Sequence, residues 1–559
     1  MTGYDYPRPQ LVRDRWMSLD GVWEMNGEKI VVPFSPQSES SQYEKDPGDT
    51  LLYRTSFFLP ETFDQPIVLL HFGAVDQIAE VFFNGEKIGE HHGGYLSFTF
   101  DVTKWISREG ENELIVRATD TLSADLPYGK QRKKRGGMWY TPVSGIWNSV
   151  WLENVPAQYL SRIILTPDLS GVQTELIWNK ADAEREVTVR VCVDEAQQIW
   201  ETHVFHENKF RINISDPILW TPDHPFLYQM EVAAGEDRIR SYFALRTIGI
   251  EEIRGVNRVC LNGEPVFMHG LLDQGYFADG IYTPGDWGEY ERDVKRAKEL
   301  GFNMLRKHIK IEPEQFYYAC DRLGMLVIQD MVNNGVYSFF YDTFLPNFIF
   351  WMKSDKKHPE IDVHRKRIFI GHMIETMEAL HNHPCIVAYT IFNEGWGQFE
   401  ADRLYGIAKN TDDTRLIDST SGWFAQHLSD FDSKHIYFHS IPLHPKKRPM
   451  LLSECGGFSL EVEGHLFSHI KSIFGYGKCH DEEELTDAIL HMYDVMVLPA
   501  IRAGLCGCVY TQLSDVEDEV NGIYTYDRKV RKVIPERMRA LSKKIYYALS
   551  LAVEPESKD

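Results

Sequence analysis

The chain has 559 residues, 43% of them hydrophobic and 25% charged, which reads as a globular protein of about three or four domains and excludes a disordered one. With 82 acidic against 59 basic residues its formal net charge is −23, a balance that repels phosphate backbones and argues against nucleic acid as a partner. No apolar run reaches the roughly 18–20 residues of a membrane span, no signal-peptide core follows Met1, and the 8 cysteines form neither a CxxC pair nor a compact secreted framework, so a cytoplasmic protein without membrane contact is the expectation.

Residues 1–156 read as β structure. Short runs rich in Val, Ile, Phe and Tyr alternate with turn signals, helical periodicity is absent, and Asn84-Gly85 between two such runs marks a hairpin. The pattern predicts a jelly-roll β-sandwich. Within it, the basic run from Lys130 to Arg135 reads as a solvated loop. Residues 157–252 continue as short strands, with 186–192 and 211–215 alternating at period two, which predicts an immunoglobulin-like β-sandwich.

From 253 to 559 strands and helices alternate. Strand candidates lie at 266–272, 303–308, 326–331, 386–393, 416–421, 435–439, 450–454 and 508–513. Helix candidates lie at 287–300 and 313–323, stopped by Gly301 and Gly324, and at 369–380, 482–503 and 535–549. The order predicts a C-terminal (β/α)8 TIM barrel. It is abbreviated between the fifth and seventh strands, where the chain is too short for full helices, and the long aromatic segment 333–367 is expected to form a large loop over its mouth.

A barrel carries its chemistry at the C-terminal ends of its strands. The fourth strand ends in Asn393-Glu394 and the seventh in Ser453-Glu454, each followed by glycine within two residues. One glutamate at a strand end is ordinarily a solvated terminus or an ion-pair partner. Two of them, across one mouth, form the pair that flanks a glycosidic bond. Retention of configuration needs the carboxyl groups about 5–5.5 Å apart, one ionised to attack and one protonated for the leaving oxygen. The amide of Asn393 is placed to bind a sugar hydroxyl beside them. Other polar groups at strand ends, Asp273, Arg306, His308, Trp423, His439, Gln512, Asp515 and Glu517, are candidates for substrate contact. Of these, Asp273 and Gln512 lead, because the first and eighth strands border the mouth. The His-x-x-x-His spacings at His435/His439 and His465/His469 lack a third ligand and read as ordinary histidines, and no phosphate loop or dinucleotide fingerprint occurs; neither metal nor cofactor is expected.

Over nearly its whole length the sequence resembles glycoside hydrolase family 2, the family of β-galactosidases, β-glucuronidases and β-mannosidases. WYTPVSGIWN at 139–148 and VWLE at 150–153 resemble its sugar-binding jelly roll. His383-Pro384 with Asn393-Glu394-Gly395-Trp396-Gly397 resembles its acid/base motif, and Ser453-Glu454-Cys455-Gly456-Gly457 its nucleophile motif. The segments ending at Arg306 and at Val327 are similar to its second and third barrel repeats. The resemblance implies a retaining exo-β-glycosidase with Glu394 as acid/base and Glu454 as nucleophile, acting on a carbohydrate or glycoconjugate, in a family whose members are often homo-oligomers. Three departures bear on the sugar. Arg306 is followed by Lys307-His308-Ile309 where many members carry Arg-x-Ser-His-Tyr-Pro, which shifts the histidine by one. Gln329-Asp330-Met331 is similar to the β-mannosidase pattern. The Asn-x-Lys that holds the uronate in β-glucuronidases is missing, since the only asparagine after Glu454 is Asn521, followed by Gly522-Ile523. By elimination a neutral β-hexoside, β-galactoside first, is expected. The alternatives are a β-glucuronide or β-galacturonide, with Arg306 and Lys307 meeting the carboxylate, or a β-mannoside. A carbohydrate-binding protein that has lost catalysis is the alternative of another class.

Overall fold

The computed structural model describes residues 6–180, 186–194, 197–345, 355, 361–424, 427–437, 440–470 and 472–554. The N-terminal portion packs two antiparallel sheets face to face. One runs Glu28–Val32, Gly21–Met25, Thr50–Phe57, Asn112–Thr119, Ile78–Phe83, Glu86–His92; the other runs Trp16–Ser18, Val150–Val155, Ile67–Phe72, Phe98–Asp101. Period-two alternation sends Leu51, Tyr53 and Phe57 of one strand, and Leu114, Val116 and Ala118 of its neighbour, into a shared core. Asn84 and Gly85 both take positive φ, +47° and +85°, between paired Phe83 and Glu86, the turn the sequence signalled.

The middle portion is a second sandwich. A three-stranded sheet of Leu160–Pro167, Gly171–Trp178 and Lys209–Asn213 faces a four-stranded one of Ile199–Phe205, Val187–Asp194, Tyr228–Ala234 and Asp237–Phe243. Val187, Val189 and Val191 point inward from one strand, as their spacing predicts.

The C-terminal portion is a parallel eight-stranded barrel. Its strands are β1 (Met268–Asp273), β2 (Met304–Lys307), β3 (Leu326–Asp330), β4 (Ile386–Asn393), β5 (Leu416–Ser421), β6 (Asp432–Ile436), β7 (Met450–Gly456) and β8 (Leu505–Thr511). Outside them lie α1 (Glu289–Glu299), α2 (Glu314–Leu323), α3 (Val363–Leu380), α4 (Ala401–Thr411), α5 (Glu482–Met492) and α6 (Pro535–Val553). Almost every strand residue is buried, because helices or other strands cover both faces of a parallel sheet. No described helix is long and apolar enough to cross a membrane.

The hydrogen-bonded ladder runs in the order β5-β4-β3-β2-β1-β8-β7-β6 and stops there. Across the seam between β5 and β6, Ser433 Oγ donates to Asp418 Oδ2 over 2.6 Å and the Asp430 amide donates to the Ile417 carbonyl over 2.9 Å. No helix occurs among the described residues between β5 and β7, which is the abbreviated side expected from chain length.

Two expectations are corrected. The sixth strand lies at Asp432–Ile436 and not 435–439: a seam strand pairs on one side only, so Asp432, Ser433 and Lys434 occupy it despite their polarity. The eighth ends at Thr511, two residues before the expected end. Helix α4 was not anticipated; Leu404 and Ala408, one turn apart, bury its inner face. Of the long loop, residues 346–354 and 356–360 lie outside the described residues. Its first part winds at Phe339–Phe344, and Trp423 Nε1 donates to the Asp342 carbonyl over 2.8 Å.

The first sandwich and the barrel mouth meet in one aromatic cluster. Tyr95, Trp139, Tyr140 and Trp147 of the sandwich pack with Tyr276, Tyr282, Tyr337 and Trp396 of the barrel, Trp139 and Trp396 edge to face with centroids 5.1 Å apart.

Candidate active site

Strand parity sorts the end of β2. Residues two apart share a face, so Arg306 and His308 point one way and Lys307 the other. Arg306 is fully buried, and its guanidinium serves six groups, one of them His435, whose Nε2 lies 3.3 Å from Nη1. Nε donates to Asp330 Oδ1, Nη1 to Glu454 Oε1 and the Ser453 carbonyl, and Nη2 to Asn393 Oδ1 and Ser421 Oγ, each over 3.0 Å. His308 Nδ1 lies 2.7 Å from Asp330 Oδ2 and 3.9 Å from Glu454 Oε1. Lys307, on the opposite face, pairs with Asp273 at 2.5 Å and Glu312 at 2.8 Å.

Glu454, near the C-terminal end of β7, is held by two further groups. Tyr437 donates its hydroxyl to Oε2, and Nε2 of His435 stands 3.6 Å from Oε1. The Tyr437 ring is fixed by stacking on Tyr476, centroids 3.9 Å apart. Burial pushes the Glu454 carboxyl up, but the pull of His435, His308 and Arg306 outweighs it and holds the group at about 2. Burial likewise opposes ionisation of Asp330, and Arg306 and His308 bring it below the ordinary range. His308 itself is lowered, by burial first and by Lys130 second.

Glu394 takes a positive φ of +53° just past β4, its amide donating to the Ser421 carbonyl over 3.2 Å. Its Oε1 lies 2.7 Å from Nδ1 of His435. Gly422 makes this approach feasible: a Cβ there would meet Glu394 Cγ at 3.2 Å and His435 Nδ1 at 3.3 Å. The Glu394 side chain is 13% exposed against 6% for Glu454, so it stands nearer the entrance. One donor atom each from Glu394, His435 and Glu454 lies within 4.8 Å of the others. Such a trio suits a cation. Here the positive charge is supplied by Arg306, and His435 hydrogen-bonds Glu394, so the arrangement is a self-contained pair of carboxylates with an imidazole between them.

The remaining sequence candidates divide. Asn393 joins the site through Arg306 and Ser421. Trp423 stands edge-on to His435, centroids 5.9 Å apart. Gln512 lies after β8, its Nε2 on Glu519 at 2.9 Å and Asn521 at 2.8 Å, its carbonyl oxygen buried without a hydrogen-bond partner among the described residues. Glu517 accepts from the Thr141 amide over 2.9 Å, at the junction with the first sandwich. Asp273 is engaged by Lys307 on the outer face of β2, and Asp515 by Lys532 at 2.6 Å; neither is brought to the carboxylate pair. His439 lies outside the described residues.

Sequence reading weighed His435 only as a metal ligand and set it aside as an ordinary histidine, and it missed Tyr437 and Ser421. It also passed over Asp330 as a site residue, although β3, like β4 and β7, finishes at a carboxylate. The basic run is half as expected. Arg132, Lys133 and Lys134 are exposed, but Arg135 reaches Asp518 at 3.0 Å and Glu517 at 3.5 Å beyond β8, and Lys130 is half-buried.

A family model described as "Glycosyl hydrolase 2 galactose-binding domain-like" matches residues 27–148, and one described as "Glycosyl hydrolases family 2, TIM barrel domain" matches 252–444. A beta-galactosidase of Thermoanaerobacter pseudethanolicus is 27% identical over 55% of this chain and 43% of its own length. A beta-glucuronidase of Bacteroides fragilis is 23% identical over 66% of this chain and 54% of its own length. The chain thus spans about half the length of the curated relatives it matches. Among solved structures, a beta-D-glucuronidase of Dictyoglomus thermophilum superposes with a TM-score of 0.76 at 18% identity, covering 96% of this chain and 98% of that one, a likeness of fold.

Proposed function

The chain belongs to glycoside hydrolase family 2, and from that we propose that it releases a terminal β-linked hexose with retention, Glu454 as nucleophile and Glu394 as acid/base. The observation that carries this reading is the asymmetry of the pair. Two carboxylates lie within reach of one anomeric carbon, and the deeper one is kept ionised by Arg306 and two histidines. In the first step a Glu454 oxygen bonds to the anomeric carbon as the bond to the aglycone oxygen breaks, and Glu394 gives that oxygen its proton. In the second, water adds to the anomeric carbon, Glu394 takes the proton back, and the Glu454 ester bond breaks to restore the carboxylate. Arg306 and Tyr437 hold the two nucleophile oxygens, so the attacking lone pair is aimed before substrate arrives.

For the sugar, the relatives named beta-galactosidase and beta-glucuronidase support the class and leave the choice open. Arg306 and Lys307, the two cations weighed for a uronate, are both spent on buried carboxylates. On these two cations the reading is a neutral β-galactoside; a uronide needs a further cation, for which Lys130, half-buried and without an ion pair among the described residues, is the candidate.

The mechanism is tested with Glu394→Ala on an activated aryl β-glycoside. Glycosylation proceeds, turnover stalls, and azide restores it with a β-glycosyl azide as product. An α-azide would exchange the two roles. Failure of the wild-type protein to cleave any aryl β-glycoside would favour the non-catalytic sugar-binding alternative.

A further inference from the structure

Resting on the glycosidase reading, we infer that Lys130, brought to the barrel mouth by the first sandwich, receives an anionic substituent of the substrate sugar, the carboxylate of a β-uronide.

The backbone on either side of Lys130 is fixed. Tyr128 donates its amide to the Asn333 carbonyl over 3.1 Å and its hydroxyl to the Gly335 carbonyl over 2.8 Å, just beyond β3. Gly129 has a φ of +63°, and a Cβ there would stand 2.6 Å from the Tyr95 hydroxyl and 3.1 Å from the carbonyl of Ile309, the residue after His308. Gln131 is buried, its Nε2 on Asp76 and Tyr95 at 3.1 Å. The Lys130 carbonyl accepts from the Tyr140 amide over 3.0 Å, and the Tyr140 hydroxyl donates to Glu519 over 2.7 Å. Lys130 therefore sits between the end of β2 and the segment after β8, its neighbours immobilised and its side chain left over.

Among the described residues Lys130 makes no ion pair and no side-chain hydrogen bond; of the other cations here, Arg132 is exposed over the Trp139 ring, 4.4 Å from its centroid, and the buried ones are committed. Arg306 holds Asp330 and Glu454, Lys307 and Lys310 share Glu312, and Arg135 holds Asp518. The half-buried Lys130 ammonium is nonetheless felt inside. It lowers His308 and Glu454, and it offsets the rise that burial gives Glu519. An ammonium without a counter-charge is free to take a substrate carboxylate, and it offsets the repulsion of that carboxylate by Glu454 and Glu394. Beside it, His308 Nε2 is buried and unpartnered. Its Nδ1 is engaged by Asp330, which leaves Nε2 open to a sugar hydroxyl.

The test compares kcat/KM of the wild-type protein, Lys130→Met, Lys130→Gln and Lys130→Arg on the 4-nitrophenyl β-glycosides of glucuronate, galacturonate, glucose, galactose and galactose 6-sulfate. We expect a uronide to exceed its neutral counterpart by about 10-fold or more, and the uronide-to-neutral ratio to fall by about 10- to 100-fold in the Met and Gln variants, the worth of one charge-assisted hydrogen bond. The Arg variant is expected to recover most of that ratio. A wild-type preference for the neutral or sulfated sugars, or a ratio that moves less than about 3-fold on losing the lysine charge, overturns the inference and leaves the glycosidase intact. Should no glycoside be cleaved, the glycosidase reading is what fails. Calorimetry with free glucuronate and galacturonate then decides the role of Lys130: binding weakened in the Met and Gln variants supports it, and binding absent from wild type or equal in all variants overturns it.

Discussion

Nη1 of Arg306 stands 3.0 Å from Oε1 of Glu454, with the two side chains 0% and 6% exposed. Through its other contacts the same guanidinium ties β2 to β3, β4 and β5 as well as to β7. Removing one partner of a buried pair leaves the other uncompensated, at a cost of about 3–5 kcal/mol. Arg306→Gln is expected to lose about that much unfolding free energy in urea, and to shift the acid limb of kcat/KM upward as Glu454 loses its permanently charged partner. An unchanged urea midpoint together with an unchanged pH profile would show that the pair carries neither role.

Tyr437 donates to the other oxygen of Glu454. A hydrogen bond to a charged group is worth about 1.5–3 kcal/mol, so Tyr437→Phe is expected to lower kcat by about 10- to 100-fold. Glu454 becomes a more basic leaving group without that donor, and the second step should slow most. Stopped-flow on a 4-nitrophenyl substrate would then show a burst of nitrophenolate that the wild-type protein lacks; a drop in kcat with no burst would place the effect in the first step.

The depressed Glu454 carboxyl links activity and stability to pH in one direction. Held at about 2, it stays ionised well into acid, and its contribution to stability is present above the unfolded value of about 4.3 and lost as pH falls through about 2. In urea titrations from pH 7 to pH 3, the advantage of wild type over Glu454→Gln should shrink as pH drops below about 5. An advantage independent of pH would contradict an ionised, well-paired nucleophile.

Asp418 has the opposite sign. It is buried at the seam between β5 and β6 and pushed up to about 6 by burial, which Ser433 and Arg306 only partly offset. A raised carboxyl takes up a proton on folding between about pH 4 and 6, so stability falls as pH rises through that window. Asp418→Asn keeps the shape and the acceptor for Ser433. It should be the more stable protein at pH 7, by on the order of 1–3 kcal/mol, and lack this slope. If the two proteins follow one stability curve from pH 4 to 7, Asp418 is already satisfied as an anion.

Where one physical signal dominated, the sequence was readable. β4 and β5 fall at the expected residues, because an apolar run closes at Asn393 in one case and a short buried segment closes before Gly422 in the other. That Glu394 and Glu454 come together at one mouth followed from strand ends alone. Elsewhere the deciding information was not local. β6 has one ladder partner, so hydrophobicity did not mark it, and His435 and Tyr437 at its end were not read as site residues. Asp273 and Lys307 sit at strand ends yet face outward, a matter of parity that an uncertain strand start obscures. Within the basic run nothing distinguishes Lys130 and Arg135 from the solvated residues between them until Tyr128, Gly129 and Gln131 are seen docked on other parts of the chain.

The segment from Tyr128 to Tyr140 belongs to the first sandwich by chain and to the barrel by contact. The carboxylate pair and the loop packed against the mouth are therefore written in stretches of sequence more than two hundred residues apart. A barrel cut free of its sandwich would keep both carboxylates and lose that loop. On the roles proposed above, exchanging the loop between homologues is a route to a new sugar preference that leaves the Glu394–His435–Glu454 grouping untouched, so that recognition and reactivity are free to change at different rates.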